Sequence, residues 1–235
     1  MKTLGIIGGM GPAATVDLFA KILAATDAAT DKENIPILID NNTAIPDRTK
    51  AILHGGESPL PALTESAQRL ERAGAELLML ACNTSHYFYD ALAARVSVPI
   101  LHMPRETAKA AREAGYAKVA LLATDGTCAT GVYQKAFAAE APETELLYPL
   151  PEEQRLVMEL IYDNVKANRW DMPRERLLSL LSRLTERGAE AFILGCTELP
   201  MAFLRYEIAK PTLDATEALA RAAVLAAGAV LREKS

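Results

Sequence analysis

The sequence predicts an α/β protein made of two similar, doubly wound parallel-sheet domains, and three observations carry that reading. Short apolar runs recur along the chain, segments with helical spacing separate them, and one half of the chain can be laid on the other. Alternating strands and helices imply parallel sheets whose faces are both covered.

The first apolar run, Thr3–Ile7, is closed by Gly8-Gly9-Met10-Gly11-Pro12. Ala13–Ala29 then has helical spacing and helix-forming composition, so the chain opens as strand, turn and helix. The same grammar returns at Pro36–Asp40, Leu77–Cys82, Val98–His102, Val119–Ala123 and Ala191–Gly195. Lys210–Asp214 is strand-like and leads into a last helix expected over Ala215–Leu231.

Residues 69–82, RLERAGAELLMLAC, align without a gap on residues 183–196, RLTERGAEAFILGC, at an offset of 114. The alignment sets Leu80 on Leu194 and Cys82 on Cys196. A looser match sets Leu4–Gly11 against Val119–Gly126, so the second half also opens with a strand and a tight turn. A fixed internal offset is the mark of duplication.

Composition narrows the function. Half of the 235 residues are apolar, enough to bury a large core, and the net charge of −5 comes without a basic run that would track a phosphate backbone. Nucleic acid is therefore not an expected partner. No apolar stretch approaches a membrane span or a secretory signal, so a cytoplasmic protein is expected. Three cysteines without a C-x-x-C pair make neither a disulfide framework nor a zinc site, and no metal is expected. Their thiols are free for chemistry.

Cys82 and Cys196 each close a strand and precede a polar cluster, Asn83-Thr84-Ser85 and Thr197-Glu198. Ligands of open α/β sheets bind outside the carboxyl ends of strands, and a helix N-terminus following each cysteine would favour a thiolate through its dipole. The plain alternative is that both are small buried hydrophobes, as free cysteines often are. If the two halves face each other about a pseudo-twofold axis, the thiols lie on opposite sides of one cleft. One can then take a proton from a carbon while the other delivers one to the opposite face.

Gly-Gly-Met-Gly-Pro at 8–12, Asn-Asn-Thr-Ala-Ile-Pro-Asp-Arg-Thr at 41–49, Ala-Cys-Asn-Thr-Ser-His at 81–86 and Gly-Cys-Thr-Glu-Leu at 195–199 together resemble the aspartate racemases of the aspartate/glutamate racemase family. The resemblance spans nearly the whole chain. It implies a cofactor-independent isomerase interconverting L- and D-aspartate, with no pyridoxal phosphate, with the active site between two α/β domains, and with Cys82 and Cys196 as its acid/base pair. It also implies a homodimer. In the resembling family the C-terminal helix returns to the first domain, so residues 1–100 with 215–235 are expected to form one lobe and residues 101–214 the other.

A dicarboxylic substrate needs cations. Arg48, in the Pro46-Asp47-Arg48-Thr49 turn, would hold a carboxylate in its fork, and Lys166 resembles the family lysine that reaches substrate from the second half. Asn83, Thr84, Thr124 and Thr197 would be neutral donors to the α-carboxylate, and Met10 would line the pocket through its backbone. His86 and His102 read as structural histidines and Cys128, which has no counterpart in the repeat, as packing.

Two rivals from other classes stand beside this reading. Gly9–Ala14 satisfies the G-x-G-x-x-A pattern of dinucleotide-binding folds, but Pro12 removes a backbone N–H that could serve a pyrophosphate. A two-lobed, non-catalytic ligand-binding protein would explain the repeat without requiring a cysteine in each lobe. Within the family, glutamate or another amino acid is the alternative substrate. Glutamate racemases carry an Asp-Ser-Gly turn after the first strand and a His two residues past the second cysteine, where this chain has Met10 and Glu198.

Overall fold

The computed structural model describes residues 1–233; residues 234 and 235, the end of the segment expected to join the first lobe, lie outside the described residues. The strands are β1 Leu4–Gly8, β2 Ile37–Asn41, β3 Leu77–Leu80, β4 Ile100–Leu101, β5 Lys118–Leu122, β6 Glu145–Leu147, β7 Ala191–Leu194 and β8 Thr212–Asp214. The α-helices are α1 Pro12–Ala25, α2 Arg48–Leu53, α3 Leu60–Arg72, α4 Tyr89–Ala93, α5 Met103–Glu113, α6 Asp125–Thr130, α7 Val132–Glu140, α8 Pro151–Glu159, α9 Arg174–Glu186, α10 Leu199–Arg205 and α11 Ala215–Ala226. None of the described helices is long and apolar enough to cross a membrane.

The strands form two parallel four-stranded sheets of the same order, β2-β1-β3-β4 and β6-β5-β7-β8. The central strands are buried along their length, which is why they read as unbroken apolar runs rather than alternating ones. The chain divides into two compact units, Met1–Met103 completed by residues from Thr216 on, and Pro104–Ala215.

Internal register carries the repeat down to single hydrogen bonds. Leu4 pairs with Leu77 in the first sheet and Val119 with Ala191 in the second, as both alignments require. Glu76 donates its N–H to Thr3 O at 2.8 Å and Glu190 to Lys118 O at 2.9 Å; each glutamate's carboxylate also accepts a backbone N–H from the residue before the strand, Thr3 and Ala117. The Gly-Ala-Glu triplets are therefore the helix stop and strand entry of each unit.

In the second unit the sheet's two faces feed two cores. Ala120, Leu122, Phe192 and Leu194 pack with α8, α9 and α10, whereas Val119, Leu121, Ala191 and Ile193 pack with α5 and α7. In the first unit Ile7, Leu78 and Leu80 pack under α3 and α4 with Met10, Ile45 and Cys82. Each such fully buried Leu or Ile contributes roughly 1.5–3 kcal/mol.

Several expected boundaries move. The first helix stops at Ala25 rather than Ala29 because Thr26 turns extended and Asp27 N–H bonds Val230 O at 2.9 Å. The last helix stops at Ala226 rather than Leu231, since Leu231 forms a bridge with Thr26 and Arg232 N–H reaches Ala25 O at 2.8 Å. β6 was not expected: at three residues with an exposed first position, it has no apolar run to announce it. Around the sheet's first turn, Gly9 has φ +90, and a Cβ there would lie 2.3 Å from the carbonyl carbon of Asn42.

Candidate active site

Cys82 lies two residues beyond the central strand β3, on the carboxyl edge of the first sheet. Ala81 N–H still bonds Ile7 O at 3.0 Å, so the strand geometry holds until the residue before the cysteine. The thiol is buried, as are Asn83, Thr84, Ser85 and His86. A 3-10 helix, Thr84–Phe88, follows in place of the expected α-helical N-terminus, and it runs for five residues before α4 begins.

Arg48 is brought to the same edge. Asp47 caps α2 by accepting Lys50 N–H at 2.7 Å, which starts the helix at Arg48. Arg48 is 7% exposed, and its Nη2 donates to Met10 O at 3.1 Å while Nη1 donates to Pro46 O at 3.1 Å. Backbone carbonyls thus orient the fork. Ser85 Oγ reaches Met10 Sδ at 3.1 Å, linking the cysteine's loop to the turn after β1. Met10, Arg48, Cys82, Asn83 and Thr84 all belong to the first unit.

Cys196 stands at the equivalent place after β7. Gly195 N–H bonds Leu122 O at 2.8 Å, and a Cβ on Gly195 would lie 2.6 Å from Leu121 Cδ1 and 3.1 Å from Leu122 O, so a side chain there would make Leu121 give way. The Cys196 thiol is buried and donates to Glu198 Oε2 at 2.9 Å. Thr197 Oγ1 donates to the same oxygen at 3.2 Å, and Lys166 Nζ lies 3.6 Å from Glu198 Oε1. Three expected site residues of the second unit therefore converge on one buried carboxylate.

That carboxylate corrects one expectation. Burial, and then the negative charge of Glu198, push the Cys196 thiol well above its usual range, with Lys166 pulling the other way. The α10 dipole does not leave Cys196 as a thiolate, because a seven-residue helix starting three residues on is outweighed by desolvation and an adjacent anion. Lys166 ends a π-helical segment, Leu160–Lys166, and its ammonium sits 4.6 Å from the centroid of the Tyr162 ring. π-Helical turns are frequent at functional sites. Thr124 caps α6, accepting Thr127 N–H at 3.3 Å.

The sequence assigns Glu198 no role: it meets the thiol across irregular backbone, and its one signal is nearness in sequence to a strand-end cysteine. Cys128 packs against the second core, where burial and then Asp125 push its thiol up to about 12, consistent with an unreactive packing group. The histidine ring of His86 is fully buried, with its basicity lowered to about 3 mainly by burial, so it is no general base near neutral pH.

The family profile of Asp/Glu/Hydantoin racemases matches residues 7–223 of this chain. The chain belongs to that family. Its fold resembles the Picrophilus torridus aspartate racemase structure with a TM-score of 0.86 and 32% identity, covering 99% of this chain and 96% of that one. The broad specificity amino-acid racemase RacX of Bacillus subtilis is 25% identical over 94% of this chain and 96% of its own length. A glutamate racemase of Geobacter metallireducens is 29% identical over 72% of this chain and 63% of its own. As an Asp/Glu/Hydantoin racemase family member, the chain uses its Gly9–Ala14 turn differently from a dinucleotide fold: Gly9 N–H is taken by Thr15 Oγ1 at 3.0 Å, and helix α1 opens on Pro12.

Proposed function

We propose that this racemase interconverts L- and D-aspartate without a cofactor, with Cys82 and Cys196 exchanging protons at the two faces of the substrate α-carbon. The observation that carries the reading is the equivalence of the two buried thiols. Each stands two residues past a central strand, in sheets of identical order and matching register. A duplicated core needs no cysteine at either place, whereas stereoinversion by two bases needs one on each side.

In one direction a thiolate takes the α-proton, and the electron pair left on carbon delocalises into the α-carboxyl group. The opposite thiol then gives its proton to the other face and is left as the thiolate, so the two sulfurs trade protonation states with each turnover. Cys196 rests as the protonated member, with Glu198 placed to accept its proton. On the family pattern, Cys196 serves the L enantiomer and Cys82 the D enantiomer. Arg48 holds one carboxylate of aspartate and Lys166 the other; Asn83, Thr84, Thr124, Thr197 and the Met10 backbone complete the polar lining. The preference for aspartate is supported by the Picrophilus likeness and by Glu198 in the place of the glutamate racemases' histidine.

The test is racemisation of D- and L-aspartate, with glutamate and neutral amino acids in parallel, by wild type, Cys82→Ser and Cys196→Ser after dialysis against chelator, with the α-proton followed by NMR in D2O. Wild type should invert aspartate, and each single variant should lose inversion while retaining α-proton exchange of one enantiomer. Full racemisation by either variant, or dependence on an added cofactor, refutes the two-thiol mechanism. Equal rates with neutral amino acids would replace aspartate with the broad specificity of the Bacillus relative.

A further inference from the structure

Both nitrogens of the buried His86 ring are engaged with backbone. Nδ1 lies 3.0 Å from Cys82 O and 3.3 Å from Asn83 O, and Nε2 lies 3.0 Å from the N–H of Met103. Carbonyl oxygens only accept and a peptide N–H only donates, so the proton sits on Nδ1 and the ring is neutral. The ring is held edge-on to His102, with centroids 4.9 Å apart, and lies parallel to Tyr89 at 6.2 Å. Met103 opens α5 and is the last residue of the first unit before the chain enters the second. An N–H of a first helical turn has no partner within its helix, and here the imidazole supplies it.

We propose that His86 is a positioning residue for Cys82: the donor on its neutral ring holds the cysteine's own carbonyl, while Met103 N–H at the start of α5 fixes the ring and its tautomer, and the held carbonyl sets the direction and exposure of the thiol. A general acid or base would need one ring nitrogen turned to substrate, and both are spent on backbone. Among the described residues Cys196 has no matching clamp, since Gly-Cys-Thr-Glu-Leu places Leu199 N–H, not a side chain, on the Cys196 carbonyl at 3.0 Å. The two thiols are therefore held by different means, the first through its backbone and the second through its sulfur. The proposal rests on Cys82 being one of the two reacting thiols.

Asparagine can present an amide N–H where Nδ1 lies but cannot reach Met103, whereas glutamine reaches toward Met103 but places no donor at Cys82 O. The experiment compares His86→Asn, His86→Gln and wild type, reading iodoacetamide alkylation of Cys82 and Cys196 separately by peptide mass spectrometry, alongside racemisation. Expected are a change of Cys82 alkylation rate of fivefold or more in His86→Gln with Cys196 unchanged, a fall in kcat of tenfold or more at near-constant KM, and restoration of both toward wild type in His86→Asn. Equal shifts at both cysteines, or His86→Asn no better than His86→Gln, would mark a merely structural histidine and overturn the proposal. Should His86→Gln fail to fold, 15N NMR of the wild-type ring decides: a proton on Nε2, or titration between pH 5 and 9, overturns it. Because alkylation reads the thiol without substrate, a wild type that fails to racemise aspartate would refute the assigned reaction while leaving the clamp measurable.

Discussion

Replacing Arg48 with alanine separates the charge that binds substrate from the packing that holds the fold. Arg48 is 7% exposed, and its guanidinium donates to Met10 O and Pro46 O, each at 3.1 Å. A hydrogen bond to a charged group contributes about 1.5–3 kcal/mol, so a fork giving two of them to one substrate carboxylate contributes roughly 3–6 kcal/mol. At about 1.4 kcal/mol per tenfold, kcat/KM for aspartate should fall by roughly 10² to 10⁴. The same truncation strands two carbonyls, which costs about 1–3 kcal/mol of stability, or roughly 2–4 °C of melting temperature for each kcal/mol in a chain of this size. Initial rates would be followed by circular dichroism from both enantiomers. Since the equilibrium constant of a racemisation is unity, kcat/KM must fall equally in the two directions. Arg48→Lys keeps the charge but offers a point donor, so it should land between wild type and alanine. A kcat/KM within threefold of wild type in Arg48→Ala, with melting lowered as expected, would refute the assignment of Arg48 to substrate.

Two further outcomes follow from particular contacts. The negative charge of Glu198 raises the Cys196 thiol, so Glu198→Gln should move its alkylation profile to lower pH and speed labelling at pH 7; Lys166→Met should do the reverse, and an unmoved profile in both would remove the carboxylate from the thiol's environment. Gly9→Ala forces a side chain onto φ +90 with its Cβ 2.3 Å from the Asn42 carbonyl carbon, and should cost about 2 kcal/mol or more; an unchanged thermal midpoint would mean that the turn relaxes freely.

What was legible in the sequence is what repeats. β3 and β7 are buried on both faces, so each leaves an unbroken apolar run, and the Gly-Ala-Glu triplets before them mark the same helix stop and strand entry twice. Both cysteines followed from that alignment. β6 and the two-residue β4 escaped sharp definition because edge strands this short take their hydrogen bonds from a neighbour instead of a local pattern. The π-helical segment that carries Lys166 continues α8 directly and so reads as ordinary helix. Glu198 meets Cys196 across two residues of irregular backbone, a spacing that no periodicity encodes, and His86 reaches Met103 seventeen positions away. Short-range geometry and long-range pairing are both invisible to a period of two or 3.6.

The second unit is a continuous run of chain set inside the first, whose final pieces are α11 and the tail that bonds Thr26, Asp27 and Ala25. Synthesis from the N-terminus therefore delivers the two units in inverted order of completion. The whole of the second unit's sequence is made before the helix that completes the first. The earlier-born unit is the later one to finish.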